Sequence, residues 1–140
     1  MNIETAGLII TGESLMEEQF ANAAIRHYED ANALAASGRF DGAGHLIGFA
    51  AECAVKHGVL SIRADLDSLH GHFPFLVDVA KRHLSQRFHH GLYTIIKKQD
   101  LMQGWEVHNR YSDNGTVSKV QFELWRSHAC SLISAAKVRK

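Results

Sequence analysis

The sequence contains a single proline, Pro74, and two cysteines in 140 residues. Because proline breaks helix interiors, its scarcity favours a mostly helical protein. Cys53 and Cys130 lie far apart in apolar helical patterns, so both are predicted to be reduced core residues of a cytoplasmic protein. This cysteine usage argues against a small scaffold that depends on disulfides.

An excess of charge of one sign is also missing, because 15 Lys and Arg residues balance 15 Asp and Glu residues. No global field would therefore draw the chain to nucleic acid, and DNA is not expected as a partner. No segment approaches the roughly 20 apolar residues of a membrane span. The first residues include Glu4 and lack the basic region of a signal peptide. We expect one cytoplasmic domain over 1–140, with 1–13 as an irregular lead-in and no membrane partner.

Two long helices are predicted in the first half of the chain. Ser14 and Glu17 form a capping box, which places the first helix start near Leu15. Gly38 can adopt the left-handed conformation that ends this helix, and Asp41 is predicted to cap the second, which ends within 58–61. Both helices carry small apolar residues that would let another helix approach closely, and these faces motivate a predicted homodimer.

Three further helices are predicted in the second half. One begins around Pro74, a short one covers about 92–102, and the last covers about 117–138. The His89–Gly91 stretch and a loop over 103–116 separate them. Because no segment is a persuasive strand, the sequence predicts an all-α fold, an up-and-down bundle of four to five helices.

Ten histidines raise the question of a metal site. The possible ligands are His70, His72, His83, His89 and His90. Zinc sites need ligands that converge from their elements, and the sequence contains no H-E-x-x-H or C-x-x-C motif. No G-x-S-x-G elbow or phosphate-binding glycine loop is present either. We therefore expect neither a metal nor a cofactor.

The polar segment EVHNRYSD occupies 106–113, after Trp105. It has two interpretations that spacing alone leaves open. In one, Trp105 and Tyr111 anchor a loop, Arg110 bonds carbonyl groups, and Asp113 caps a turn. In the other, the Arg110 guanidinium binds phosphate and His108 exchanges protons near neutral pH.

A second polar pair lies on the second helix, where Glu52 and Lys56 are four residues apart. One interpretation is an exposed ion pair worth a few tenths of a kcal/mol, about 0.2–0.5. The other is that Glu52 points into a polar pocket between helices. Both interpretations remain open from the sequence.

Four segments together resemble the HEPN family, the nucleotide-binding domain of higher eukaryotes and prokaryotes. They are AAIRHYEDANALAASGRFDGA, AGHLIGFAAECAVKHGVL, HGHFPFLVDVAKRHL and GWEVHNRYSD, and the resemblance covers nearly the whole chain after residue 18. It implies a helical bundle that usually dimerises. Many members are metal-independent ribonucleases, often toxins paired with a nucleotidyltransferase-like antitoxin.

The family's ribonuclease motif is an arginine followed four to six residues later by histidine. Arg110 matches the arginine, but Asn114, Gly115 and Thr116 occupy the positions of the histidine. The chain therefore resembles an RY-type member that lacks it. The predicted function is a module of a toxin–antitoxin or defence system that binds a nucleotide, RNA or a partner protein. The expected ligand-binding residues, besides Arg110, are Glu52, Lys56, Asn109, Tyr111 and Asp113.

Two alternatives stay open. The first is a metal-independent ribonuclease, with Arg110 on the phosphate and His108 as the provisional acid and base. The second is a purely structural dimerisation domain, in which the polar loop only caps a helix.

Overall fold

The structure is a computed structural model that describes residues 12–63, 65–66, 69 and 71–138, with side chains from residue 19 onward. Five α-helices and one short 3-10 helix occur in this part, and it contains no strand. The α-helices are α1 (Gly12–Ala36), α2 (Phe40–Ile62), α3 (Phe75–His83), α4 (His90–Ile96) and α5 (Lys119–Ala135). The 3-10 helix covers Val107–Tyr111. The all-α prediction is confirmed.

The helix α2 lies at the centre of the bundle. It packs against α1, α3, α5 and the 3-10 helix, and half of its residues are buried (12 of 23). The small side chains of α1 and α2 are buried between helices of this one chain. They allow the close approach that the sequence predicted, but that approach is internal. The homodimer stays a prediction and takes no support from these faces.

The first helix boundary is partly as predicted. Gly38 follows α1 with φ of +75°, as expected of a glycine at a helix end. The helix begins at Gly12 rather than near Leu15. The side chains of the predicted capping box and residues 1–11 lie outside the described residues.

The prediction that Asp41 caps α2 is wrong. The helix begins one residue earlier, at Phe40, and its N-cap Arg39 makes no side-chain capping bond. The Asp41 carboxylate instead accepts hydrogen bonds from a distant loop, described below. Asp41 has the sequence position of a helix cap, but its carboxylate binds N–H groups that only the tertiary fold brings near it.

The later helices are shorter than predicted. The third helix begins directly after Pro74, as expected. His89, which directly precedes the fourth helix, has a left-handed backbone with φ of +63°. The fourth ends at Ile96 and not near Met102, which has φ of +51° in a turn. The last begins after Ser118, whose hydroxyl accepts the Gln121 N–H as a helix cap.

The two cysteines differ in burial. Cys53 is half-buried and contacts the core, and burial raises the pKa of its thiol to about 11. Cys130 is exposed, so the prediction that it is a core residue is wrong. Among the described helices, none is both long enough and apolar enough to cross a bilayer.

Candidate functional site

Trp105 fixes the beginning of the polar loop on α2. Its ring is 2% exposed, and its indole N–H donates a hydrogen bond to the Gly44 carbonyl at 2.9 Å. A Cβ atom on Gly48 would lie 1.8 Å from the Trp105 ring. Glycine at position 48 therefore leaves the space that the indole fills. The interpretation of Trp105 as a buried anchor agrees with these contacts.

Asp41 holds the far end of the same loop. Its carboxylate accepts the Gly115 N–H at 2.7 Å and the Val117 N–H at 2.8 Å. These donors favour the charged form, so the pKa of Asp41 is lowered, with Val117 as the largest cause. Gly115 has φ of +82°, a conformation that glycine adopts without strain. The loop is thus tied to one helix at both ends.

A cavity of about 260 Å³ lies between this loop and the first turns of α2. Two tryptophans and Val117 supply its apolar surface, and the remaining side chains are polar or charged. The lining residues are Asp41, Gly42, His45, Trp105, Asn109, Arg110, Ser112, Asp113, Asn114, Thr116, Val117 and Trp125. We call this space the loop cavity.

His45 is a lining residue that the sequence did not identify as a site. Its ring stacks on Trp105, with centroids 5.9 Å apart and planes at 20°, and meets the edge of Phe49. Its Nδ1 is buried, and within the described residues it has no hydrogen-bond partner. Burial lowers the pKa of His45, and the charge of Arg110 lowers it further. Both effects favour the neutral form of the imidazole.

The available sequence signal for His45 was its place between Gly44 and Gly48. Two glycines four residues apart lie on one face of a helix and permit close approach. In the structure, Trp105 fills the space over Gly48, while Val117 and Trp125 lie over Gly44. This close approach brings the loop against the turn of α2 that carries His45.

Arg110 and Tyr111 lie at the outer edge of the loop, and both are exposed. The Arg110 guanidinium carbon lies 4.9 Å from the centroid of the Tyr111 ring. Within the described part of the chain, Arg110 makes neither a salt bridge nor a hydrogen bond. Its cationic group is therefore available to an anion. Tyr111 does not line the cavity, although both of its chain neighbours do.

The other predicted residues of the polar segment differ in position. Asn109 and Asp113 line the loop cavity beside Arg110. His108 does not line it: its side chain is 68% exposed, and Nε2 lies 3.6 Å from Glu106. The structure therefore brings together three of the predicted residues and directs the provisional acid and base away from them.

Glu52 and Lys56 do not line the loop cavity. Glu52 is 2% exposed, and its carboxylate accepts the Phe73 N–H at 2.8 Å. The other oxygen lies 2.9 Å from Nδ1 of His72. Burial is the largest influence on Glu52 and raises its pKa. Glu52 thus points inward, but toward His72 and Phe73 rather than toward Arg110.

Lys56 also has a different neighbour from the one expected. Its ammonium lies 5.6 Å from the centroid of the Phe20 ring on α1, a distance typical of a cation–π contact. No salt bridge joins it to Glu52 in the described structure. Glu52 and Lys56, which the sequence suggested as ligand-binding residues together with Arg110, therefore lie away from the cavity that Arg110 lines.

The described residues contain no group of three or more His, Cys, Asp or Glu side chains arranged to hold a metal ion. Of the possible histidine ligands, His70 lies outside the described residues. Comparison with protein-family models, with curated proteins and with solved structures finds no match for this chain. The chemistry of the loop cavity is therefore the basis for any functional conclusion.

Proposed function

We propose that this chain is a HEPN-like helical module that binds a ribonucleotide or RNA at the loop cavity. The observation that supports this most directly is the pairing of Arg110, a cation without an anionic partner among the described residues, with a cavity of polar and charged hydrogen-bonding groups. A planar guanidinium pairs with phosphate oxygens through two parallel hydrogen bonds. The cavity beside it then receives the rest of the ligand.

The charges of the lining divide the ligand between two places. Asp41 and Asp113 line the cavity, so their carboxylates disfavour a phosphate inside it. They suit ribose hydroxyl groups and base amino groups, which donate hydrogen bonds to carboxylates. We therefore place the base and ribose in the cavity and the phosphate on exposed Arg110. A volume of about 260 Å³ is below the roughly 300–1,000 Å³ of drug-sized sites, which limits the cavity to a single nucleoside.

This arrangement favours RNA over DNA because the 2′-hydroxyl is the donor that DNA lacks. Binding of a fluorescein-labelled RNA strand and of the DNA strand with the same sequence tests it by fluorescence anisotropy. We expect tighter binding of RNA, and Arg110→Ala should weaken it about tenfold, as for a lost charged hydrogen bond. Asp113→Asn should reduce the difference between the affinities for the RNA strand and the DNA strand.

The matched control is Arg87→Ala. Arg87 is also exposed and lies beside an exposed aromatic ring, Phe88, at 5.6 Å, but it does not line the loop cavity. Equal loss of affinity in Arg87→Ala and Arg110→Ala would reject the proposed site, since it would show that any surface cation matters as much. Equal affinity for RNA and DNA would reject the role of the cavity.

A metal-independent ribonuclease is the second candidate, and His45 is the observation that favours it. A neutral imidazole in the same cavity as Arg110 has the protonation state that a general base requires. It would accept the proton of the ribose 2′-hydroxyl while Arg110 stabilises charge on the phosphate. His45 would then take the role that was provisionally given to His108.

RNA incubated with the protein in EDTA and resolved on a denaturing gel tests this candidate. We expect cleavage to be lost in His45→Ala and Arg110→Ala and retained in His108→Ala. Loss of cleavage in His108→Ala alone would reject the assignment to His45. RNA binding without cleavage by the native protein would leave the binding module as the function.

The resemblance to HEPN proteins extends the proposal to partners. A homodimer and a nucleotidyltransferase-like antitoxin are the partners that it implies, and a toxin–antitoxin or defence system is the biological setting. Light scattering at micromolar concentration tests the homodimer, because a molar mass of one chain would refute it. Co-purification with the product of a neighbouring nucleotidyltransferase gene tests the second partner.

A further inference from the structure

Tyr111 presents an aromatic ring to solvent beside the loop cavity. Its side chain belongs to a residue that is 78% exposed, more than the exposed Phe75, Phe88, Val120 or Leu124. An aromatic side chain at this exposure gains almost nothing from burial. The backbone of Tyr111 is held in place, however, because it ends the 3-10 helix Val107–Tyr111, which packs against α2.

The two faces of the Tyr111 ring have different surroundings. Arg110 approaches the ring, with its guanidinium carbon 4.9 Å from the centroid. Within the described residues, no second aromatic ring or cation contacts Tyr111. One face is therefore left for a flat ligand. An aromatic face next to an arginine is the combination with which proteins bind a base and its phosphate in single-stranded nucleic acid.

We propose that Tyr111 stacks the base of the nucleotide next to the one in the loop cavity, which makes the preferred ligand single-stranded RNA. This inference rests on the proposed function, because the cavity and Arg110 must hold the first nucleotide. In a duplex, neighbouring bases already stack on one another and are not free to stack on a side chain. A mononucleotide has no second base, so it would not reach Tyr111.

Fluorescence anisotropy with three labelled probes tests this inference. They are a short single-stranded RNA, the same strand annealed to its complement, and an RNA of equal length and charge whose residues lack bases. We expect the single strand to bind most tightly. Tyr111→Ala should weaken single-strand binding about tenfold, the effect of losing one base–aromatic stack. Tyr111→Phe should bind the single strand more tightly than Tyr111→Ala.

The probe without bases separates stacking from phosphate binding. Its affinity should fall in Arg110→Ala, because the phosphates remain, and should be the same in Tyr111→Ala and the native protein. Phe88→Ala is the matched control for an exposed ring beside an arginine, since Phe88 is 56% exposed with Arg87 at 5.6 Å. It should bind the single strand like the native protein.

Two results would overturn different parts of the argument. Native affinity of Tyr111→Ala for the single strand, together with weak binding by Arg110→Ala, would reject stacking and keep the cavity site. Identical behaviour of Arg110→Ala and Arg87→Ala, or no RNA binding by the native protein, would reject the cavity site and the stacking inference together. Because Tyr111 is exposed, its variants should fold, and circular dichroism verifies this.

Discussion

Two carboxylates on α2 perform the same task in opposite environments. Glu52 accepts the backbone N–H of Phe73 and so holds the chain just before α3. Asp41 accepts those of Gly115 and Val117 and so holds the loop of the candidate site. Burial raises the pKa of Glu52, while the backbone donors lower that of Asp41 in its open setting. The pKa of a carboxylate is therefore raised where the cost of desolvating its charge exceeds the stabilisation from hydrogen bonds, and lowered where it does not.

The difference separates the fold from the candidate site. Removal of the buried Glu52 carboxylate would leave the buried Phe73 N–H without its acceptor, so it should destabilise the whole bundle. At the partly exposed Asp41, water can accept the backbone N–H groups instead. We therefore expect loss of the Glu52 hydrogen bond to lower the stability of the whole bundle. Loss of the Asp41 hydrogen bonds should mainly disorder the loop of the candidate site.

The largest effect is expected at Trp105, the buried aromatic anchor of the site loop. Gly48→Ala should lower the free energy of unfolding by about 3 kcal/mol, because a Cβ atom would lie 1.8 Å from the rigid indole of Trp105. Urea denaturation measures it. Gly91→Ala is the control, since its Cβ would meet nothing within 4 Å in α4, and it should cause no loss. Equal stability of the two variants would show that the indole can move freely.

Removal of the buried carboxylate should have the next largest effect. Glu52→Ala should cost about 2 kcal/mol, because the buried Phe73 N–H would lose its acceptor. Glu52→Gln keeps an oxygen for this donor and should cost clearly less. The midpoints of urea denaturation compare the two variants. An equal cost would contradict the role of the hydrogen bond and point to side-chain volume instead.

The smallest effect should follow from Asp41→Asn, at about 1 kcal/mol near neutral pH, because solvent screens the partly exposed charge. Its pH dependence sharpens the comparison. The lowered pKa of Asp41 means that its stabilisation is present above its unfolded pKa of about 3.9 and is lost as pH falls through the folded value. The stability difference between native protein and Asp41→Asn should therefore shrink on acidification.

The raised pKa of Glu52 reverses this sign. Its favourable contribution is present below the unfolded pKa of about 4.3 and is lost as pH rises through the folded value. The stability of the native protein relative to Glu52→Gln should therefore fall as pH rises. Denaturation of both pairs of proteins from about pH 3 to 7 measures the two slopes. Slopes of the same sign would contradict the contrast between the carboxylates.

The sequence predicted the helical fold because apolar periodicity and end signals are local. Gly38 and Pro74 lie at helix ends as expected. The ends of the shorter helices were predicted less well. The helix α4 was expected to continue to about residue 102, but it ends at Ile96, and Lys97 is its C-cap. That ending depends on packing, which an apolar run alone does not specify.

The candidate site was predicted in part. Arg110, Asn109 and Asp113 are close in sequence, so their common loop kept them together in the cavity. Asp41 lies 74 and 76 positions before its partners Gly115 and Val117. His45 lies 60 positions before Trp105, on which it stacks. The sequence carries no marker of such pairing. Glu52 was named with Arg110 because the HEPN resemblance suggested both as ligand-binding residues, and no local signal in the sequence joins them.

The contact between Gly48 and Trp105 has a consequence for the evolution of this chain. Because the indole occupies the space of a side chain at position 48, the two positions share one volume. A related sequence with alanine or a larger residue at 48 should carry a smaller residue at 105. Linked substitution at these two positions would therefore mark relatives that keep the same packing of this loop against α2.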